Sequence, residues 1–303
     1  MPTTVSFEFR ARRGFHDWEQ VRARLTTWWA RFAFVAIVTG CTAPTKKSAA
    51  LAKEHVVELA KAAREDVRQI RTGLPEGAAQ LVAILPPADK GDIDAPTARE
   101  ALEKARNKVQ DLRVAKSTFF ALVSPKGVVI RNDQPQDRMV GKDLLASFPG
   151  LRSALSGGYV EARGSMPEAA EVRGRPDSQW VAAVPVGSGA SLRALYTTGW
   201  SWSGYAYRLE NAVRSSVRGA TTDAQKVPLL YAYVVVGSEV YGAPISPDVN
   251  AKAIREQSLL GKLHGVEPLS VELEITGRGF GLAAVLVPEL GSEVAVVVLR
   301  SET

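Results

Sequence analysis

Residues 119–131 read FFALV, then SPKG, then VVIR, and the rest of the fold is built around this stretch. Two apolar runs rich in β-branched and aromatic residues flank a short segment with proline and glycine, a pattern typical of a β-hairpin. Pro125 fixes φ near the value that a turn requires, and Gly127 can adopt a positive φ without steric cost. The sequence therefore predicts an antiparallel pair of strands here.

The hairpin opens a unit with the predicted order strand, strand, helix, strand, strand. Short helices are expected over residues 141–145 and 148–155, because proline stands near a helix start and glycine just past its end. Residues 179–186 and 192–199 are interpreted as the closing strands. Between the helices and these strands, residues 163–178 carry glycine, proline and charge, which indicates an exposed loop.

The same order of elements recurs in the last third of the chain, without obvious residue identity between the two halves. Five strands are predicted there, at residues 229–236, 239–242, 269–276, 279–287 and 293–300. Residues 269–276 alternate apolar and polar, which is typical of a strand with one buried face. Ser246-Pro247-Asp248 predicts the start of a helix that runs to Leu260 and ends at Gly261.

A long helix is predicted ahead of the hairpin. Apolar residues recur at spacings of three and four from residue 49 to residue 70, and we expect Gly73 and Pro75 to end this helix. Residues 78–85 form a separate apolar piece, which Pro86-Pro87 stops.

Two further helices follow. Thr97-x-x-Glu100 has the form of a capping box. The four-three rhythm of the helix behind it fits packing against the rest of the chain or a short dimeric coiled coil. A connecting helix is predicted from about Ser201 to Arg218, with Gly219 as its C-terminal cap. Its aromatic residues have helical spacing, which favours docking on a sheet over a binding surface.

Composition describes an ordinary globular chain. The 303 residues are 46% hydrophobic and 23% charged, enough for two modest domains. The net charge is +6, and the first 40 residues, with six arginines and three acids, hold half of it. The remainder is too dispersed for nucleic-acid binding, which needs clustered cations. With a single cysteine, no intrachain disulfide can form.

The N-terminus has the layout of an export signal, a basic stretch followed by an apolar run from Phe32 to Val38. Val38-Thr39-Gly40-Cys41 resembles the lipobox of bacterial lipoproteins. In that family the Cys41 thiol would receive a diacylglycerol, and the amine freed by cleavage would receive a fatty acid such as palmitate. The alternative is that Cys41 is a small buried apolar residue at the end of a short helix. We expect the true start of translation nearer Val21.

The first unit resembles the extracellular Cache sensor domains, which are relatives of the PAS fold. The residues that carry the resemblance are the hairpin at 119–131, the segments 141–144 and 148–157, and the strands at 180–186 and 192–199. With the leading helix and the second unit, the layout resembles a double-Cache domain over residues 46–300. Ser124 stands where many members have aspartate. Members usually continue into a second membrane span and an output module, whereas this sequence ends at Thr303.

The predicted fold class is therefore α+β, with long N-terminal helices followed by two PAS/Cache-like modules. Each module is an antiparallel sheet with short helices on one face. The predicted division is a signal peptide with lipobox at 1–41, N-terminal helices at 42–116, a first module at 117–200, a connecting helix at 201–219 and a second module at 227–303.

The resemblance implies a ligand pocket between the sheet and the helices over it. In the first module the candidates are Arg131 and Arg152 as anion-pairing donors, with Trp180 and Tyr196 as walls. The alternatives are that the arginines are solvated and that Trp180 is a core residue. The Tyr, Arg-x-Trp-Tyr and Asp pattern associated with amino-acid-binding Cache domains is not found.

The leading hypothesis is an extracytoplasmic lipoprotein sensor that is lipid-anchored in the cell envelope, faces the periplasm, and binds a small molecule. It would signal through a partner protein or a homodimer. A second hypothesis is a structural or interaction lipoprotein without a ligand. An envelope hydrolase is the third. Enzymatic signals are poor, because His55 and His264 have no metal-ligand spacing and Gly277–Gly281 joins two strands. No enzyme activity, cofactor or metal is therefore predicted.

Overall fold

The computed structural model describes residues 42–87, 91–172, 177–220 and 227–302. The predicted signal peptide and Cys41 lie outside the described residues. Contacts divide the chain into two units, Met1–Pro44 and Thr45–Thr303. Of the first unit only residues 42–44 are described, as the first residues of a helix. The second unit holds both modules, whose predicted boundaries stay a prediction.

The first helix, α1, spans Thr42–Ile84, so the prediction that it ends at Gly73 and Pro75 was wrong. Gly73 and Gly77 both lie where neighbouring side chains leave no room for a Cβ atom. A Cβ atom at Gly73 would lie 2.8 Å from the Leu112 side chain, and one at Gly77 would lie 2.7 Å from the ring of Tyr196. Pro75 faces solvent. Tertiary packing of the buried face therefore outweighs the local cost of these residues.

Helix α2 spans Ala95–Lys108, and the short α3 spans Gln110–Val114. The predicted capping box was wrong, because α2 begins before Thr97. Asp94 is the N-cap, and its side chain accepts a hydrogen bond of 2.7 Å from the Thr97 amide. Four buried residues of α2, Ala98, Ala101, Leu102 and Ala105, belong to the same core cluster as α1. Of the two alternatives for this helix, packing against the rest of the chain is the one observed.

The first sheet has five strands, β1 Phe119–Val123, β2 Val129–Asn132, β3 Val160–Gly164, β4 Gln179–Val186 and β5 Ala194–Ser201. Their order is β2-β1-β5-β4-β3, and every pair is antiparallel. Helix α4, Leu144–Ser147, and a 3-10 helix at Pro149–Ser156 confirm the predicted helical region. Strand β3 was not predicted, because most of its residues are half-buried and show no alternation.

The connecting helix α5 spans Trp202–Ala220, so Gly219 lies inside it and is not its cap. The second sheet contains β6 Leu229–Val236, β7 Glu239–Gly242, β8 Leu269–Ile275, β9 Arg278–Leu286 and β10 Val294–Ser301. Its order, β7-β6-β10-β9-β8, repeats that of the first sheet. The predicted repeat of architecture is confirmed.

Helix α6 spans Asp248–Glu256 and so ends earlier than predicted. Pro247 is its N-cap residue, and Ser246 makes no capping bond. A separate 3-10 turn, Leu259–Gly261, follows after Ser258, which adopts a left-handed conformation with φ 49° and ψ 49°.

Each sheet has two buried faces. In β4, Trp180 and Ala182 point toward α1 and the large shared core, whereas Val181 and Ala183 point toward the short helices. The second sheet divides in the same way, since Val234 joins the shared core and Val235 packs near α6. Sheets covered on both faces explain the nearly continuous apolar runs of β4 and β10. The predicted α+β architecture of two PAS/Cache-like modules behind a long helix is confirmed.

Candidate functional site

The four side chains predicted to bind a ligand are not brought together. Trp180 and Tyr196 are fully buried on the face toward α1. Phe148 lies on the opposite face of the sheet, under the short helices. Trp180 stacks on Trp200 with ring centroids 4.4 Å apart. Burial raises the pKa of the Tyr196 phenol, as expected for a hydroxyl held among apolar side chains.

The two arginines differ in position, and only Arg131 shares a sheet face with Trp180 and Tyr196. Arg131 is largely covered, with its Nη1 atom 3.6 Å from Asp137 and its Nη2 atom donating a hydrogen bond of 3.2 Å to the Gln134 carbonyl. It lies opposite Leu122, which also pairs with Tyr196, so Arg131 and Tyr196 lie on the same sheet face, toward α1 and α2, with strand β1 between them. Arg152 is exposed on the 3-10 helix.

A different hollow opens on the face toward the short helices, where β1 begins and β2 ends. This polar cleft has a volume of about 590 Å³. Its lining comes from three separate stretches of the chain, residues 118–119, 132–139 and 168–171. Phe119 and Met139 form the apolar floor, and the polar groups at the rim are Thr118, Asn132, Gln134, Gln136, Arg138, Glu168 and Glu171.

Asp137 holds the loop that forms one wall of the polar cleft. Its side chain has 0% exposed surface. The carboxylate accepts hydrogen bonds from the backbone amides of Asn132 at 2.7 Å, Met139 at 2.9 Å and Val140 at 3.0 Å. A buried carboxylate is stable only when such donors surround it, so this loop has one well-defined conformation. From the sequence alone, residues 132–140 are expected to be a polar and flexible connection, and the density of polar residues in this stretch was the signal that sequence reasoning missed.

Helix α2 supports the same loop from the other side. Arg106 Nη1 donates to Asp133 at 3.0 Å, and its guanidinium lies 4.8 Å from the centre of the Phe120 ring. Asp133 in turn accepts from the Phe120 amide at 2.9 Å. Burial raises the pKa of Asp133, and the Phe120 amide and the Arg106 charge oppose that shift.

The rim of the polar cleft carries both signs of charge. Arg138 is exposed there and donates to the Ala170 carbonyl at 3.4 Å. Glu168 pairs with Lys142 at 3.1 Å, and its own backbone amide, followed by Lys142, lowers its pKa. Glu171 accepts from the Thr118 hydroxyl at 2.9 Å. The arrangement therefore offers one cation for an anionic group and two carboxylates for a cationic group.

Glu171 also connects the polar cleft with α5. Its carboxylate lies 3.8 Å from Arg208 Nη1. Arg208 is largely buried, which lowers the pKa of its guanidinium, and the charge of Glu171 opposes that shift. Within the described part of the chain, its Nε and Nη2 atoms have no hydrogen-bond partner.

Farther along α5, two side chains bond to the edge of β6 beyond the end of β7. Glu210 accepts from the Ala232 amide at 3.1 Å, and Arg214 donates to the Leu230 carbonyl at 2.9 Å. These bonds satisfy backbone groups that lack a neighbouring strand. One helix therefore contacts both the wall of the polar cleft and the second sheet.

Among the residues that the structure describes, no group of three or more His, Cys, Asp or Glu side chains could hold a metal ion. Across the same residues, no helix combines the length and the apolar character that crossing a bilayer requires.

No protein-family model and no curated protein sequence matches the chain. Solved structures do match. The extracellular domain of the candidate histidine kinase vpHK1S-Z8 aligns with a TM-score of 0.53 at 10% identity, over 86% of this chain and 92% of that one. The ligand-binding domain of the Pseudomonas aeruginosa PAO1 chemoreceptor PctB, in complex with L-Arg, aligns with a TM-score of 0.45 at 14% identity, over 83% and 95%.

An extracellular ligand-binding receptor from Desulfohalobium retbaense DSM5692 aligns with a TM-score of 0.45 at 12% identity. The match covers 81% of this chain, which spans only 39% of that receptor. Sequence identities this low support a shared fold and carry no conclusion about function. The chain has the two-module fold of extracellular Cache-like sensor domains.

Proposed function

We propose that this protein is an extracytoplasmic sensor domain that binds a small polar molecule in the polar cleft of its first module. One observation carries the proposal: the cleft wall is held by the fully buried Asp137 carboxylate, while the rim carries charged side chains of both signs. Preorganised polar groups around a hollow of this size are typical of ligand sites. The fold supports sensing only by analogy.

The charges on the rim support a ligand that itself has both signs. Arg138 can bind a carboxylate, and Glu168 and Glu171 can bind an ammonium group. Small amino acids and amino-carboxylates are therefore the first probes. The missing amino-acid motif of Cache domains argues for a different set of contacts, so the probe set also includes dicarboxylates and diamines.

The experiment is a thermal-shift screen of the purified protein, followed by calorimetric titration of each hit. We expect Arg138→Gln to weaken a carboxylate-bearing hit about tenfold, the loss of one charge-assisted contact. The matched control is Arg152→Gln, which removes another exposed arginine outside the lining of the cleft. If Arg152→Gln weakens binding and Arg138→Gln does not, the site predicted from the sequence is preferred.

The same proposal includes membrane attachment through Cys41 and exposure to the periplasm. Its support is the basic-then-apolar leader that precedes Cys41. Mass spectrometry of the mature protein should find a diacylglyceryl cysteine at its N-terminus, and Cys41→Ala should abolish it. An N-terminus at another residue would contradict this part of the proposal.

Signalling would pass to a partner protein or to a second copy through α1, which packs on the sheet of the first module. No enzymatic role is proposed. The alternative is a structural lipoprotein, and the densely packed face under Phe148 favours it. A screen without any hit would support that alternative.

A further inference from the structure

We propose a second small-molecule site, in the second module, that takes an apolar carboxylate. A hollow of about 450 Å³ lies between the β6–β7 turn and the end of α6. Five aliphatic side chains line it, namely Val235, Val240, Ile254, Leu259 and Leu260. We refer to it as the apolar hollow. It lies on the sheet face that carries the short helices, and it shares no residue with the polar cleft.

In the first module the corresponding position, between the β1–β2 turn and the short helix α4, is closed. There the corresponding turn ends at Gly127, where a Cβ atom would lie 2.9 Å from Asp143 and 3.1 Å from Leu145. The Gly127 carbonyl also accepts a hydrogen bond of 2.8 Å from the Leu144 amide, so α4 starts directly against the turn. The hairpin turn and the helix are therefore in direct contact in the first module.

In the second module the equivalent turn is open. A Cβ atom at Gly237 would find its nearest neighbour, Glu293, at 3.9 Å. Helix α6 ends at Glu256, and the left-handed Ser258 turns the chain so that Leu259 and Leu260 lie over the hollow. The two modules therefore have the same strand order but carry their hollows at opposite ends of the sheet.

The charge at the mouth defines the ligand class. Arg255 is the charged residue among the lining side chains. Its nearest carboxylate, on Glu239, is 4.0 Å away, and both side chains are more than half exposed. Such a pair is weak, so Arg255 can exchange Glu239 for a ligand carboxylate. An aliphatic interior with one arginine at the mouth fits a medium-chain or aromatic carboxylate.

The test is calorimetric titration of the full chain with octanoate, octylammonium and 1-octanol. We expect saturable 1:1 binding of octanoate, at least tenfold tighter than binding of octylammonium. Arg255→Gln should weaken octanoate at least fivefold and leave 1-octanol unchanged. Lys252→Gln, an exposed lysine of the same helix, should change neither. Equal affinity for octanoate and octylammonium would overturn the proposal.

A second variant fills the hollow. Leu260→Trp places a larger side chain at a half-buried position and should abolish octanoate binding, with circular dichroism reporting that the fold is retained. Unchanged binding in the folded variant would also overturn the proposal. Arg138→Gln, in the polar cleft, should leave octanoate binding unaltered, which separates this site from the function proposed above. Should Leu260→Trp fail to fold, Arg255→Gln decides alone.

Discussion

The carboxylate of Glu171 lies against the backbone of Gly204, so closely that a Cβ atom at Gly204 would come within 2.4 Å of Glu171 Cδ. Glu171 belongs to the polar cleft of the first module, and Gly204 lies in the first turn of α5. The connecting helix therefore starts in direct contact with the proposed ligand site. Any side chain at position 204 must displace the Glu171 carboxylate.

In Gly204→Ala the added methyl group displaces the Glu171 carboxylate, which is the far end of a flexible side chain. The variant should therefore lose the bonds of Glu171 to Thr118 and Arg208 and be about 1 kcal/mol less stable than a helical glycine-to-alanine change that meets no contact. The matched control is Gly219→Ala in the same helix, where a Cβ atom would meet nothing within 4 Å. That control should be neutral or gain up to about 1 kcal/mol, because alanine favours the helix. Urea denaturation measures both, and equal effects would refute the contact.

Replacing Asp137 should loosen the loop that it holds. Asp137→Ala removes the acceptor for three backbone amides, and we expect a loss of about 2–4 kcal/mol together with faster amide exchange at Met139 and Val140. Asp137→Asn keeps one acceptor oxygen and should lose less. If both variants are as stable as the natural protein, the loop does not depend on this carboxylate.

Substitutions at Trp180 test whether this residue belongs to the core or to the wall of a ligand site. Trp180→Ala should cost about 3–5 kcal/mol, since the side chain is buried and stacked on Trp200. The milder Trp180→Phe should retain the fold and leave ligand affinity in the polar cleft unchanged. Reduced affinity without reduced stability would restore Trp180 to the binding site.

We expect the protein to lose stability in mild acid, because His55 becomes protonated there. Its Nε2 atom lies 2.6 Å from Arg300 Nη1, and burial, followed by the charge of Arg300, lowers the pKa of the imidazole. Glu54 and Glu302 oppose the shift. Because the folded state binds this proton less well than the unfolded state, stability is complete above the unfolded pKa of about 6.5 and falls as the pH drops through the folded value.

The measurement is urea denaturation between pH 5 and pH 8, compared with His55→Gln. Glutamine can still accept a hydrogen bond from Arg300 but has no titration in this range. The variant should therefore lose less stability than the natural protein on acidification. If the stability of His55→Gln fell with pH as steeply as that of the natural protein, His55 would not be the group responsible.

Local chemistry accounts for most of the secondary structure that could be predicted. The Pro125–Gly127 turn and the alternation in β8 depend on neighbours in sequence, and both are found where they were expected. Strand β3 escaped prediction because its pairing with β4 joins residues about twenty positions apart and its own residues are half-exposed. Gly73 was misinterpreted because its packing partner, Leu112, lies in another element.

The candidate sites could not be found in the same way. Backbone preference and apolar periodicity operate over a few residues, so they specify that two α+β modules form and which strand faces are buried. The polar cleft joins residues near 118, 135 and 170, and only the strand order β2-β1-β5-β4-β3 brings them to one edge. Side-chain contacts across that sheet also decided that Trp180 and Tyr196 pack on α1, because strand register, which no local pattern encodes, assigns each residue to its face.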